Sequence, residues 1–135
     1  LNSRAVDAPT SLDRLDTLAK IGASLLGVQF DAVKIEAADI AGDAWVFGYC
    51  FGLFDAMAQY AKLDQSTEAA PMISAGFGKL VNDIPRGKDL FKQAVTRLDE
   101  PAFNEGYDGG GIDLLAWAAD ADALPTGIAR RSKRD

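Results

Sequence analysis

Apolar residues along this chain recur mostly three and four positions apart, a spacing that predicts helices nearly from end to end. Leu12, Leu15, Leu18, Ala19, Gly22, Leu25 and Leu26 form the first stripe, with Thr10 or Ser11 placed to cap it and Asp13 and Asp16 near its positive N-terminal end. Gly27 is the expected stop. Val28-Gln29-Phe30 reads as a connector, and Asp31 as the cap of a second helix from about Ala32. Gly42-Asp43 reads as a kink in one long element reaching about Leu63; the alternative is a break there, with Asp43 capping a new helix. From Ala44 to Phe54 the pattern is apolar on every side, which marks the buried central helix, spanning roughly Asp43 to Leu63.

Beyond it, Ser66 or Thr67 is the next cap, Pro71 suits a first turn, and Met72, Ile73, Gly76, Phe77, Leu80 and Val81 form an inner stripe. Pro85-Arg86-Gly87 reads as a turn before a helix carrying Leu90, Phe91, Ala94, Val95 and Leu98. Gly109-Gly110-Gly111 then poses a choice, because each glycine in a helix costs about 1 kcal/mol relative to alanine. Either the chain breaks there and a last helix runs from about Ile112 to Ala121, or close packing offsets the cost. No strand pattern stands out. The expectation is an all-α, single-domain bundle of four to five helices over 11–125, with an extended arm over 1–10 and a basic tail over 126–135.

Two stretches resemble each other. Shifted by 58 positions, Gly48, Tyr49, Gly52, Asp55 and Ala58 fall on Gly106, Tyr107, Gly110, Asp113 and Ala116. Asp31, Lys34, Ala44, Ala61 and Asp64 likewise match Asp89, Lys92, Ala102, Ala119 and Asp122, which makes ten identities in 34 ungapped positions; the register is lost upstream of Asp31. Two duplicated helix-pair units would explain this. Gly48 and Gly52 share one helix face and admit a close neighbour, with a crossing angle near about −50° favoured for such ridges. If Gly106 and Gly110 do the same, the two glycine faces meet around a pseudo-twofold axis.

Composition narrows the chemistry. With 48% hydrophobic and 25% charged residues, 135 residues suffice for one globular core. A net charge of −6 repels phosphate backbones, so nucleic acid is not an expected partner, and the basic run Arg130-Arg131-Ser132-Lys133-Arg134 reads as a solvated helix end or tail. The acids are 16 Asp and 4 Glu, which suits helix caps and loops. Histidine is absent, which excludes Ser-His and Cys-His nucleophile pairs and His-ligated zinc, haem or di-iron sites. Cys50 is the single cysteine, so no intrachain disulfide forms, and its apolar setting reads as a small buried hydrophobe. The eleven uncharged residues between Asp43 and Asp55 fall far short of a membrane span. Leu1 in place of Met suggests trimming or processing; the sequence assigns no compartment, the options being cytoplasmic or, if a signal peptide was removed, periplasmic or secreted.

The chemical candidates are few. Asp55 and Asp113 would form a carboxylate pair sharing a proton or a cation if they met, or else serve packing and caps. The acids from Asp108 to Asp122 miss the spacing of a calcium loop, and the triple glycine lacks the lysine and preceding strand of a phosphate loop, so no metal or cofactor is expected. Trp45, Phe51, Phe54 and Phe77 are the candidate lining of a pocket for an apolar small molecule, or plain core. Gly48, Tyr49, Gly52, Asp55, Gly106, Tyr107, Gly110 and Asp113 are the candidate helix-packing or interface residues.

The run Gly48-Tyr49-x-x-Gly52-x-x-Asp55-Ala56 resembles the Gly-Tyr-x-x-Gly-x-x-Asp-Ala helix of small helical immunity proteins related to type VI secretion. That resemblance implies a helical, non-enzymatic protein that binds and blocks a toxin. It covers nine residues, and the paired cysteines usual in those families are here reduced to Cys50. The expected function is therefore a non-enzymatic protein-interaction module, as an inhibitor or a dimeric accessory protein. The alternatives are a carrier of an apolar small molecule, and an aspartate-based enzyme or metal binder.

Overall fold

Six α-helices and one short 3-10 helix make up the residues described by the computed structural model, 11–63 and 67–134. They are α1 (Ser11–Val33), the 3-10 helix Ala37–Gly42, α2 (Ala44–Tyr60), α3 (Ala69–Val81), α4 (Ile84–Val95), α5 (Pro101–Ala119) and α6 (Gly127–Arg134). The architecture is an all-α bundle. The expected arm over 1–10 and the candidate cap Ser66 lie outside the described residues.

The boundaries follow local chemistry, with four departures from the sequence expectation. α1 does not stop at Gly27: Leu26 and Phe30 continue its buried stripe, and burying a phenylalanine outweighs one helical glycine. It ends at Lys34, whose φ of 63° turns the chain, so Asp31 lies inside the helix and caps nothing. The long element from Ala32 is instead broken at Asp43, whose Oδ1 accepts from the Val46 N–H at 3.1 Å and starts α2. Pro85-Arg86-Gly87 is the first turn of α4 rather than a connecting turn. The reversal comes earlier, at Asn82 (φ 56°), and Asp83 caps α4 by accepting from the Arg86 N–H at 3.1 Å. The basic tail is part of the folded unit: it coils into α6, and Ile128 is buried.

α5 passes unbroken through Gly109-Gly110-Gly111, and its packing against α2 explains why. This is the most extensive helix contact in the bundle. A Cβ on Gly48 would lie 2.0 Å from the Phe103 carbonyl oxygen, and one on Gly52 2.0 Å from that of Tyr107. Reciprocally, a Cβ on Gly106 would lie 2.0 Å from the Trp45 carbonyl oxygen, and one on Gly110 2.1 Å from that of Tyr49. Residue numbers rise together along both helices, so they run parallel, and each contact recurs after a shift of 58. Backbone lies on backbone, and the glycine Cα hydrogens face carbonyl oxygens, contacts worth about 0.5–1 kcal/mol each.

Two parallel helices need a return path, which α3 and α4 provide. α1 and α3 cover the far side of α2, where Val46, Cys50, Phe54 and Met57 are all buried. Gly22 of α1 and Gly76 of α3 both lie against the Phe54 ring, which packs edge-on to Phe77 with centroids 5.2 Å apart. The central helix is thus enclosed on every side.

A glycine-to-alanine series separates close contact from mere composition. Gly52→Ala and Gly110→Ala place a methyl into an immovable carbonyl and should each destabilise by about 3 kcal/mol or more. At Gly111, where the nearest atom to a Cβ is 3.9 Å away, alanine should stabilise by about 0.5–1 kcal/mol. Urea unfolding followed by circular dichroism checks both signs.

Candidate functional site

The glycine contact sets two tyrosines across from two aspartates. The Tyr49 hydroxyl on α2 donates to Asp113 Oδ2 on α5 at 2.5 Å, and the Tyr107 hydroxyl on α5 donates to Asp55 Oδ2 on α2. These two latches are also related by the shift of 58. Asp55 and Asp113 do not form a carboxylate pair: each is engaged by the tyrosine of the opposite helix, and no hydrogen bond joins them among the described residues. The geometry for two carboxylates sharing a proton is therefore missing.

The latches differ in their surroundings. Tyr49 is wholly buried, and its oxygen accepts from Gln29 Nε2 at 3.2 Å and from the Gly127 N–H at 3.3 Å. The Gly127 N–H also donates to Asp113 Oδ2 at 3.0 Å, and Gln29 Oε1 accepts from the Ile128 N–H at 2.9 Å. α1, α2, α5 and the start of α6 thus close on one hydroxyl. Gln29, 3% exposed, is the buried polar residue that ties α1 to α6. Tyr107 is half-buried, and its Asp55 accepts further from Gln59 Nε2 at 3.0 Å.

Electrostatics follows this burial. Burial first, and then the hydrogen bond to Asp113, pushes the Tyr49 phenol far above the ordinary tyrosine value. The Tyr107 phenol is raised by burial first, then by Asp55, with Asp108 adding to it. Cys50 is raised by burial first and by Asp43 second, so the thiol stays protonated and shielded rather than nucleophilic.

Two guanidiniums seal the N-terminal ends of the pair. Arg131 of α6 sits over the Trp45 ring at 5.0 Å and pairs with Asp43 at 3.3 Å. Arg97 sits over Phe103 at 5.9 Å and Phe47 at 5.4 Å, grips Glu100, and donates to the Ala41 carbonyl at 2.9 Å.

The four aromatics considered for an apolar pocket are scattered. Phe54 and Phe77 are packed ring to ring in the core, and Phe51 is enclosed by Phe91, Phe103 and Tyr107. Trp45 alone borders a cleft, a polar one of about 270 Å³ between α2, α5 and α6. Among the described residues no group of three or more acidic or thiol side chains is placed to hold a metal ion, and no helix is long and apolar enough to cross a membrane.

Gln29, Arg97, Gly127 and Arg131 were not legible as site residues. Gln29 carried one signal: once α1 is continued, it falls three residues after Leu26 on a partly buried flank. The other three reach the site through contacts across the chain, Arg97 with Phe47 and Ala41, Gly127 with Tyr49, and Arg131 with Trp45 and Asp43.

No protein-family model, curated protein or solved structure matches the chain. Its function has to be argued from its own geometry.

Unfolded tyrosine ionises near pH ~10. Because both phenols resist ionisation when folded, the folded chain holds more protons there, and stability present below that pH is lost as pH rises through it. Absorbance at 295 nm should show Tyr49 and Tyr107 ionising only together with loss of helical circular dichroism. Tyr49→Phe, which strips a donor from a nearly enclosed aspartate, should cost about 1–3 kcal/mol, and Tyr107→Phe less, since its latch is only half-buried and water can replace the lost donor.

Proposed function

We propose that the protein is a non-enzymatic interaction module, built from two duplicated helix-pair units, that binds another protein through the outer face of α5. The observation that carries this reading is a mismatch between equivalent faces. On α2, Phe54 and Met57 are buried beneath α1 and α3. Their counterparts after the shift of 58, Ile112 and Leu115, are 67% and 53% exposed. A stripe through Glu105, Asp108, Ile112, Leu115 and Ala119 follows one side of α5 and is exposed throughout. An apolar patch left bare on α5 where the equivalent face of α2 is covered supports an interaction surface.

The chemistry of the stripe points to its occupant. Acidic Glu105 and Asp108 lead into apolar Ile112 and Leu115, which suits an amphipathic helix with a basic flank. A second copy fits poorly, because the chain carries a net charge of −6. α1 and α3 on α2 supply the template for such docking within the same molecule. Recurring contacts support the duplication: the glycine contacts and the tyrosine–aspartate latches each recur after the shift of 58. The latches favour a binding role over catalysis, since Asp55 and Asp113 are both spent on tyrosines. In an immunity-type protein the partner would be a toxin. The residues carrying that resemblance, Gly48, Tyr49, Gly52 and Asp55, hold α2 to α5, so the likeness speaks for the scaffold before it speaks for a target.

Photo-crosslinking from position 112 tests the reading. A discrete adduct with a second polypeptide bearing a basic amphipathic helix should form in extract of the native source, and Leu115→Asp should abolish it. As an exposed substitution, Leu115→Asp should change stability by no more than about 0.5 kcal/mol. An adduct at twice the chain mass, or one formed equally from position 89 on α4, would overturn it.

A further inference from the structure

α3 and α4 form a hairpin whose backbones meet at Gly87. A Cβ there would lie 2.4 Å from the Gly78 nitrogen and 2.5 Å from the Ser74 carbonyl oxygen. Beside that crossing runs an open groove of about 630 Å³, a size typical of small-molecule sites. Its α3 wall is a stripe of short side chains, Ala70, Ser74 and Ala75. Its α4 wall carries Ile84, which is 60% exposed, and Phe91, which is partly buried and held by the Phe51 ring at 6.2 Å.

Cations edge this groove and acids do not. Lys88 and Lys92 lie four apart on α4, so they share one face, and both line the groove. Both are exposed, and no ion pair engages either among the described residues. None of the described residues that line the groove is acidic, although the chain as a whole carries a net charge of −6. A lysine in such a place extends an apolar wall with its stem and keeps its ammonium in water. Short side chains on one wall and straight lysine stems on the other suit an unbranched chain lying along the groove. The two ammoniums suit a single anionic head.

We propose that this groove binds a free single-chain carboxylate, a fatty acid of medium length. Its alkyl chain lies between α3 and α4 against Ile84 and Phe91, and its carboxylate stays at the wet edge with Lys88 and Lys92. None of the lining residues is on α5, so the site is separate from the docking stripe.

Isothermal titration of the whole chain with decanoate, below its micelle-forming concentration, tests the assignment. Decanoate should saturate one site. Octanoate should bind about four- to sixteenfold more weakly, which is about two- to fourfold for each methylene removed. Decyltrimethylammonium has the same chain and the opposite charge, and should bind at least about tenfold more weakly. The net charge of −6 favours that cation, so a preference for the anion reports the two lysines. Lys88→Gln and Lys92→Gln, both at exposed positions, should each weaken decanoate about two- to fivefold with the thermal midpoint kept. The double variant Lys88→Glu/Lys92→Glu should reverse the order of the two decyl probes. Leu115→Asp should leave decanoate binding unchanged, which keeps this site and the docking stripe separately testable. No saturable heat with decanoate, a preference for the cation, or decanoate binding unchanged in both glutamine variants would each overturn the proposal. So would a discrete polypeptide adduct, at twice the chain mass or otherwise, from a photo-crosslinker at position 84, since a protein would then cover the groove.

Discussion

The rest of the structure depends on the direct contact between the backbones of α2 and α5. Four glycines remove the side chains that would hold the helices apart, and carbonyl oxygens of each helix fill the space where Cβ atoms of the other would be. Such an approach tolerates nothing larger, since the obstructing atoms are main chain and cannot rotate away. It also explains how a helix can carry Gly109-Gly110-Gly111 and stay whole. The conformational penalty of about 1 kcal/mol per glycine is met at Gly106 and Gly110 by contact available only to glycine.

From that contact the polar architecture follows. Helices this close bring a tyrosine one residue past each first glycine within reach of an aspartate three residues past each second one, and two cross-helix latches result. Each aspartate is engaged by the tyrosine of the opposite helix. The symmetry is then broken by what packs around it. The Tyr49 latch is covered by Gln29 and the start of α6, whereas the Tyr107 latch stays near solvent beside Phe51. α2 is enclosed by α1 and α3, whereas α5 keeps a bare outer stripe. A near-symmetric core with asymmetric cover yields a buried scaffold and two unlike surfaces, one apolar and acidic, the other a polar cleft beside Trp45.

Much of the scaffold was legible along the chain. The all-round apolar run Ala44–Phe54 marks the enclosed helix, and the spacing of Gly48 with Gly52 and of Gly106 with Gly110 marks close-approach faces. Both are local periodicities, which a helix converts directly into geometry. Helix ends were read less well where two local signals competed. Gly27 and Asp31 look like a stop and a start, yet the buried Phe30 carries α1 past both. Pro85 marks a helix start as readily as a turn, and the left-handed Asn82 two residues before Ile84 settles which.

By itself the sequence determined the helical class, the enclosed α2, the glycine faces, and the exclusion of histidine-based and disulfide chemistry, because these depend on periodicity and on which residue types are present. Only the tertiary structure decided that Asp55 and Asp113 are separated by their tyrosine partners, that Gln29 and Gly127 close on Tyr49, and that Phe54 is covered while Ile112 is not. Each of these depends on segments tens of residues apart meeting in space. A helical period states which face of a helix is apolar; the path of the rest of the chain states what covers it.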